Sequence, residues 1–423
     1  MPTLSSISVA NYRSFAERTD LDLRPLTLLY GRNGAGKSSL LRVLPLIGAS
    51  VGEGASSPLD LSGDAGRESS FGDLKWKGAV GDAADPYLRL AFSWAAGALS
   101  RIEYGLDFSR ERRVTLIKEL VAFDRAGACV LSARHVPEPD EPNAKILHYD
   151  LRNGAEPEQR VRLDFVGLVP QPCPEVACIA HLREQMLSLR GAIQWISALR
   201  KQPRRLNPES GARHKRMSGN GEEAASILRS DRDVMGEVAG CYRERFGKVL
   251  EIVDVPPSNY RILLRPDPTM DVDLIDAGEG MMQMLPVLVG AAMARRHEQG
   301  GPFILAAEEP ESQLHPDAQR ALARHLCAIA GETTPPVIVL ETHSYTILLA
   351  VQLEIAAGRL PRDRVLAYWV HQLDDHQGKA ERVTFDSGGR PEGNWPPGVF
   401  ADDRDLAREL VKEQLKTMAR RAP

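Results

Sequence analysis

The chain opens on alternation. Ile7 and Val9, then Leu21 and Leu23, put apolar side chains at every second position, which predicts two half-buried strands. Leu26-Thr-Leu-Leu-Tyr30 follows as a short buried strand, and Ser39-Leu-Leu-Arg-Val-Leu44 begins a helix. The stretch from about Gly48 to Asp85 is rich in Gly, Ser, Ala and Asp and reads as loop. Strand-like runs at Tyr87–Trp94, Arg101–Phe108 and Lys145–Leu151 predict an antiparallel sheet. From Cys178 the period changes: Leu182, Met186, Leu189, Ile193, Ile196 and Leu199 recur at helical spacing. A link rich in Pro and Arg follows, then helical stretches around 222–230 and 234–245. Beyond Pro302 strands and helices alternate, as a parallel sheet demands. The pattern predicts an α/β head formed by 1–177 and 251–423, interrupted by a helical insertion at 178–250.

Between the buried strand and the helix lies Gly31-Arg-Asn33-Gly34-Ala35-Gly36-Lys37-Ser38-Ser39, a complete phosphate-binding loop. Its glycines allow backbone angles that turn several N–H groups toward one anion, and the helix N-terminus adds partial positive charge. Lys37 is placed for the β and γ phosphates, and the Ser38 hydroxyl for Mg²⁺. The expected ligands are therefore ATP and Mg²⁺.

Two later strands end in chemistry. Phe303-Ile-Leu-Ala-Ala-Glu308-Glu309-Pro310 is an apolar run closing on two carboxylates, a Walker B pattern. The first acid is expected to hold the metal and Glu309 to polarise the attacking water. Neighbouring strand residues point to opposite faces, so the two share a site only if the strand stops there, which Pro310 is expected to ensure. Val337-Ile-Val-Leu-Glu-Thr-His343-Ser344 ends in a histidine placed to sense the γ-phosphate. Asp276-Ala-Gly278-Glu-Gly280-Met-Met-Gln283 precedes an apolar helix and offers a second anion-seeking end, which a dimer would use across its interface.

Composition changes this picture little. Over 423 residues, 43% are hydrophobic and 26% charged, with a net charge of −4, so any nucleic-acid contact must come from a local patch. Such a patch is expected at 200–216, where Arg200, Lys201, Arg204, Arg205, Arg213, Lys215 and Arg216 cluster. There is no signal-peptide pattern and no apolar run long enough for a bilayer, and the five cysteines read as reduced structural thiols. A cytoplasmic protein is expected.

Phosphate loop, Gly-rich signature, Walker B with a following Glu, and a strand-end His stand in the order of an ABC-type ATPase head. The chain resembles the RecF, SMC and OLD branch of these P-loop NTPases. Asn11-Tyr-Arg13-Ser-Phe15 is similar to that branch's opening strand, Glu308-Glu-Pro-Glu-Ser-Gln-Leu-His-Pro316 to its Walker B segment, and Glu341-Thr-His-Ser344 to its switch motif. The segments Ile196–Arg205, Gly219–Glu222 and 394–400 are similar to a subgroup of small stand-alone bacterial ATPases, often encoded near anti-phage or DNA-processing genes.

The resemblance implies an antiparallel β lobe beside the head, with Glu308 as the metal acid, Glu309 and His343 as catalytic residues, and Arg13 near the nucleotide. Gly278, Gly280 and Gln283 would act in trans in a homodimer or higher oligomer that controls a partner effector. The alternative it leaves open is a scaffold with little turnover that holds a partner nuclease or toxin. The usual lobe-linking glutamine is missing after the phosphate loop. Asp73 stands in roughly its place, although its local chemistry is that of a turn residue. No nuclease motif is visible after His343, where Asp374 and Asp375 read as a hairpin turn.

Overall fold

The computed structural model describes residues 3–78, 85–137, 147–209, 211, 213–267, 269–296 and 303–396. The N-terminal part supplies β1 (Leu4–Ala10), β2 (Thr19–Asp22), β3 (Leu26–Gly31), α1 (Lys37–Ser50) and the single turn α2 (Phe71–Leu74). An antiparallel series follows: β4 (Leu88–Trp94), β5 (Leu99–Ser109), β6 (Val114–Asp124), β7 (Cys129–Val136), β8 (His148–Arg152) and β9 (Gln159–Arg162). These strands pair with the chain's start in the order β2-β1-β4-β5-β6-β7-β8-β9, forming the expected lobe. Lys145 and Ile146, and the tail from 397 to 400, lie outside the described residues.

The short hairpin β10 (Phe165–Val166) and β11 (Val169–Pro170) leads to α3 (Ala177–Leu187) and β12 (Ile193–Ile196). Then come β13 (Asn207–Pro208), α4 (Ala224–Ser230), α5 (Arg232–Phe246), β14 (Val249–Val255), β15 (Asn259–Arg265) and α6 (Glu279–Arg295). The last part alternates: β16 (Ile304–Glu308), α7 (Pro316–Ala330), β17 (Val337–Glu341), α8 (Tyr345–Ala356), β18 (Val365–Gln372), β19 (Gly378–Phe385) and β20 (Pro391–Gly393). The central sheet runs β12-β16-β17-β3-β18-β19-β20, parallel from β12 to β18 and antiparallel beyond.

β16 and β17 are buried at every position because both faces of the parallel sheet are covered, so they read as continuous apolar runs. Alternate residues serve two cores. Leu29, Ile304, Ala306, Val337 and Val339 face α1 and the antiparallel lobe. Leu28, Leu305, Ala307, Ile338 and Leu340 face the helices from α4 to α8. This alternation decides which side each strand-end side chain serves.

The proposed boundary at 178–250 needs correction. The helical spacing continues through Ile193 and Ile196, yet α3 ends at Leu187 and Ile193-Gln-Trp-Ile196 pairs in parallel with β16. All four residues are buried, and a short strand covered on both faces has no period of its own to distinguish it from helix. The segment is thus part helix and part head core, and its edge strand lies beside the Walker B strand. The hairpin at Asp374 and Asp375 joins β18 to β19 as expected. No helix among the described residues is long and apolar enough to cross a membrane.

Candidate functional site

The phosphate loop closes β3 onto α1 through two glycines that no other residue can replace without rearrangement. Gly31 has φ 153°, and a Cβ there would fall 2.0 Å from the Val370 carbonyl oxygen. Gly36, the residue before α1, has φ 106°, and a Cβ would meet Ser14 Oγ at 2.6 Å and the Phe15 ring at 2.9 Å. The opening motif therefore works as a buttress under the loop. Phe15 is fully buried, and the Tyr12 hydroxyl donates to the Ser39 carbonyl oxygen at 3.3 Å. Ala35 is the buried residue within the loop's glycine-rich turn.

Lys37 is only 3% exposed, and its ammonium donates to the carbonyl oxygens of Gly31 and Arg32 at 3.0 Å each. Burial lowers its pKa, and Glu341, Glu309 and Glu311 oppose the shift. Ser38 donates its hydroxyl to Glu341 Oε1 at 2.6 Å. Burial raises the pKa of Glu341, while the Ser38 hydrogen bond acts the other way.

Glu309 reaches the site by a backbone device absent from the linear pattern. β16 ends at Glu308, and Glu309 takes a left-handed φ of 42°. Its N–H donates to the Glu341 carbonyl oxygen at 2.8 Å. A non-glycine residue pays roughly 1–2 kcal/mol for such a conformation, so the surroundings must hold it. Arg200 does so. It is 7% exposed, and its Nη2 donates to both the Glu308 and Glu309 carbonyl oxygens. Its Nη1 donates to the Gln283 carbonyl oxygen on α6 at 3.4 Å. Burial pulls its pKa down to about 10. Glu311 Oε1 accepts from the Thr342 hydroxyl at 2.7 Å and from the His343 N–H at 2.8 Å, fixing the turn that carries the histidine. Partial burial and the Lys37 ammonium hold the His343 imidazole below its ordinary value, with Glu309 opposing.

These parts enclose a cavity of about 380 Å³. Of the residues singled out from sequence, Asn33, Gly34, Gly36, Lys37, Ser38 and Ser39 line it from the loop, and Arg13, Glu309 and His343 from other segments. Arg42, Arg67 and Glu341 complete the lining and were not singled out. Glu341 carried the same signal as Glu308, an acid closing an apolar run. Arg42, Arg67 and Arg200 carried none, because nothing in their local sequence separates them from surface arginines.

One expected site residue is placed differently. Glu308 does not line the cavity. It is 2% exposed, and its two oxygens are taken by Arg42 Nε at 2.6 Å and Arg42 Nη2 at 2.5 Å, with the Trp195 indole N–H donating to Oε1 at 3.1 Å. Gly278, Gly280 and Gln283 lie at the start of α6, outside this cavity; Gly278 precedes the helix and Gly280 abuts the Gln313 carbonyl. Asp73 accepts from Ser70 N–H and hydroxyl and caps its own short helix.

The basic patch at 200–216 is also reduced. Arg200 is buried, Lys201 and Arg204 pair with Glu222, and Arg205 pairs with Asp273 and Asp276. Exposed Arg213, Lys215 and Arg216 remain from that cluster. The acids that neutralise it come from elsewhere in the chain, so local counting missed them. The cysteines are free, and no cluster of His, Cys, Asp or Glu among the described residues is arranged to hold a metal by itself.

Residues 3–50 and 220–348, which carry the phosphate loop, the signature segment and both strand-end motifs, match the family described as AAA ATPase domain. Over 410 residues the chain is 27% identical to the OLD nuclease of Thermus scotoductus, spanning 92% of this chain and 68% of that protein. In these motifs and in this relative the chain is similar to the ABC-type ATPase heads of the RecF, SMC and OLD branch. The head also aligns with an SMC head bound to the C-winged helix domain of ScpA, with a TM-score of 0.49 and 12% identity over 91% of this chain and 98% of that one. Against the SMC head domain from Thermotoga maritima the TM-score is 0.44, with 12% identity over 91% and 99%.

Proposed function

We propose that the chain is a Mg²⁺-dependent ATP-hydrolysing switch whose heads pair around nucleotide and control a partner effector in anti-phage defence or DNA processing. The observation that carries this reading is the convergence of Lys37, Ser38, Glu309 and His343 on one cavity at the N-terminus of α1. The cation fits the donor set. Ser38 and Glu341 offer hard oxygens, and Glu341 Oε2 is buried with no hydrogen-bond partner among the described residues. Bound with the nucleotide, Mg²⁺ would neutralise phosphate charge.

The chain's own groups would do the rest. Lys37 exchanges its contacts with the loop carbonyls for the β and γ phosphates. Glu309 orients the attacking water, held in place by Arg200 behind its backbone. The neutral imidazole of His343 stands beside the γ-phosphate position and responds to its departure. The Gly278–Gln283 segment stays outside the cavity of its own chain, which suits a role toward a second head.

The test is steady-state phosphate release with nucleotide binding measured in parallel. Lys37→Ala is expected to abolish retention of nucleotide. Glu309→Gln is expected to keep retention and cut turnover by about 10²-fold or more. Turnover that survives Glu309→Gln removes that residue from the mechanism. ATP-dependent assembly of the wild type without phosphate release would favour a scaffold instead.

A further inference from the structure

Two residues one turn apart on α1 face two acids side by side on neighbouring strands. Ser38 and Arg42 share a helix face at spacing i, i+4. Glu341 and Glu308 are register partners in the parallel pair β17 and β16, and each stands two residues after one that faces α1, Val339 and Ala306. Strands lie about 4.8 Å apart and a helical turn rises about 5.4 Å, so the two rows match rung for rung. Ser38 meets Glu341 and Arg42 meets Glu308.

We propose that Glu341, and not Glu308, is the acid of the cation site, acting with Ser38, while Glu308 is a buried strut for Arg42. This rests on the nucleotide reading above. Glu308 has no oxygen to spare: a bidentate guanidinium and the Trp195 indole engage both, and the Arg42 guanidinium lies over the Trp195 ring at 5.8 Å. Freeing that carboxylate would strand a buried arginine without its counter-charge, which is strongly unfavourable. A cation approaching Glu308 would also meet the positive charge of Arg42.

Glu341 has the opposite properties. It lines the cavity with Ser38 and has one oxygen unpartnered among the described residues. Its other oxygen accepts the Ser38 proton, which leaves the Ser38 lone pairs for the cation. The acid nearest the phosphate loop is therefore the one ending the strand adjacent to β3, two residues before His343.

Mn²⁺ is the probe, titrated by electron paramagnetic resonance into the full chain with a non-hydrolysable ATP analogue. Nucleotide affinity in EDTA serves as the metal-free control. Glu341→Gln is expected to weaken Mn²⁺ binding by about 10-fold or more, in the range seen when metal-site partners are removed, with metal-free nucleotide affinity changed less than about threefold. Glu308→Gln is expected to lower thermal stability and leave Mn²⁺ affinity within about threefold. If that variant does not fold, Trp195→Phe, which removes the indole N–H from Glu308 without touching the cavity lining, is expected to leave Mn²⁺ affinity within about threefold. Retained binding in Glu341→Gln, or equal losses from changes at 308 and 341, overturns the assignment and leaves the nucleotide reading standing. A wild type that binds no nucleotide overturns both.

Discussion

Arg200 donates a hydrogen bond to the main-chain carbonyl oxygen of Glu309 at 2.9 Å, from a buried position between the Walker B turn and α6. The contact joins a left-handed acidic residue to the helix that Gly278 precedes and whose first turn holds Gly280. Replacement by lysine cannot reproduce a planar fork reaching three carbonyls. Arg200→Lys is expected to lower kcat about 10- to 100-fold, since small misplacements of a reacting group carry penalties of that order. Nucleotide affinity should change less than about threefold, because Arg200 does not line the cavity. Parallel measurement of kcat and nucleotide Kd checks this; equal changes in both would mean that the arginine supports the whole site.

Gly36→Ala should disable the loop from beneath. The added Cβ would press on Ser14 and Phe15 at a φ that side chains rarely adopt. A loss of about 1–3 kcal/mol in stability is expected from the strain, with nucleotide affinity down about tenfold or more as the loop N–H groups shift. Gly34 has open space around its Cβ position, so Gly34→Ala should be milder in both chemical denaturation and nucleotide binding.

The Arg42–Glu308 pair should behave as a buried ion pair. Removing one partner by Arg42→Met leaves a buried carboxylate alone and is expected to cost about 3–5 kcal/mol. The double change with Glu308→Leu should recover most of that loss, because a matched apolar pair of similar volume is often close to neutral. Denaturant unfolding of the wild type, both single variants and the double variant reads the coupling directly.

His325, on α7, sets a pH dependence away from the site. Burial, reinforced by Arg245 and Arg295, pulls its pKa from 6.5 down to about 4. Between these values the unfolded chain takes up a proton and the folded chain does not, so this residue makes stability fall as pH drops from about 6.5 to 4. Glu311 and Glu341, raised by burial, act in the opposite sense, which makes the difference between proteins the useful quantity. His325→Gln should show a shallower fall in Tm than the wild type across that window, and identical slopes would rule out the histidine as its source.

The lobe, the parallel core and the phosphate loop were legible because each rests on local pattern. β4 and β5 alternate, β16 and β17 are apolar throughout, and the loop's glycines and lysine stand at fixed spacing. β12 was not legible, since four buried residues fit a helix face as well as a covered strand. The neutralisation of the 200–216 cluster was not legible either. Its partners, Asp273 and Asp276, are far along the chain and meet it only in the fold.

By itself the sequence determined that a phosphate-binding loop joins a buried strand to a helix, and that two later strands end in acids and a histidine. Which acid lies against that loop was decided only by tertiary structure. The direction of a strand-end carboxylate depends on the register between β16 and β17 and on the phase of α1 above them. Those three segments are remote in sequence, and no linear spacing encodes how they align.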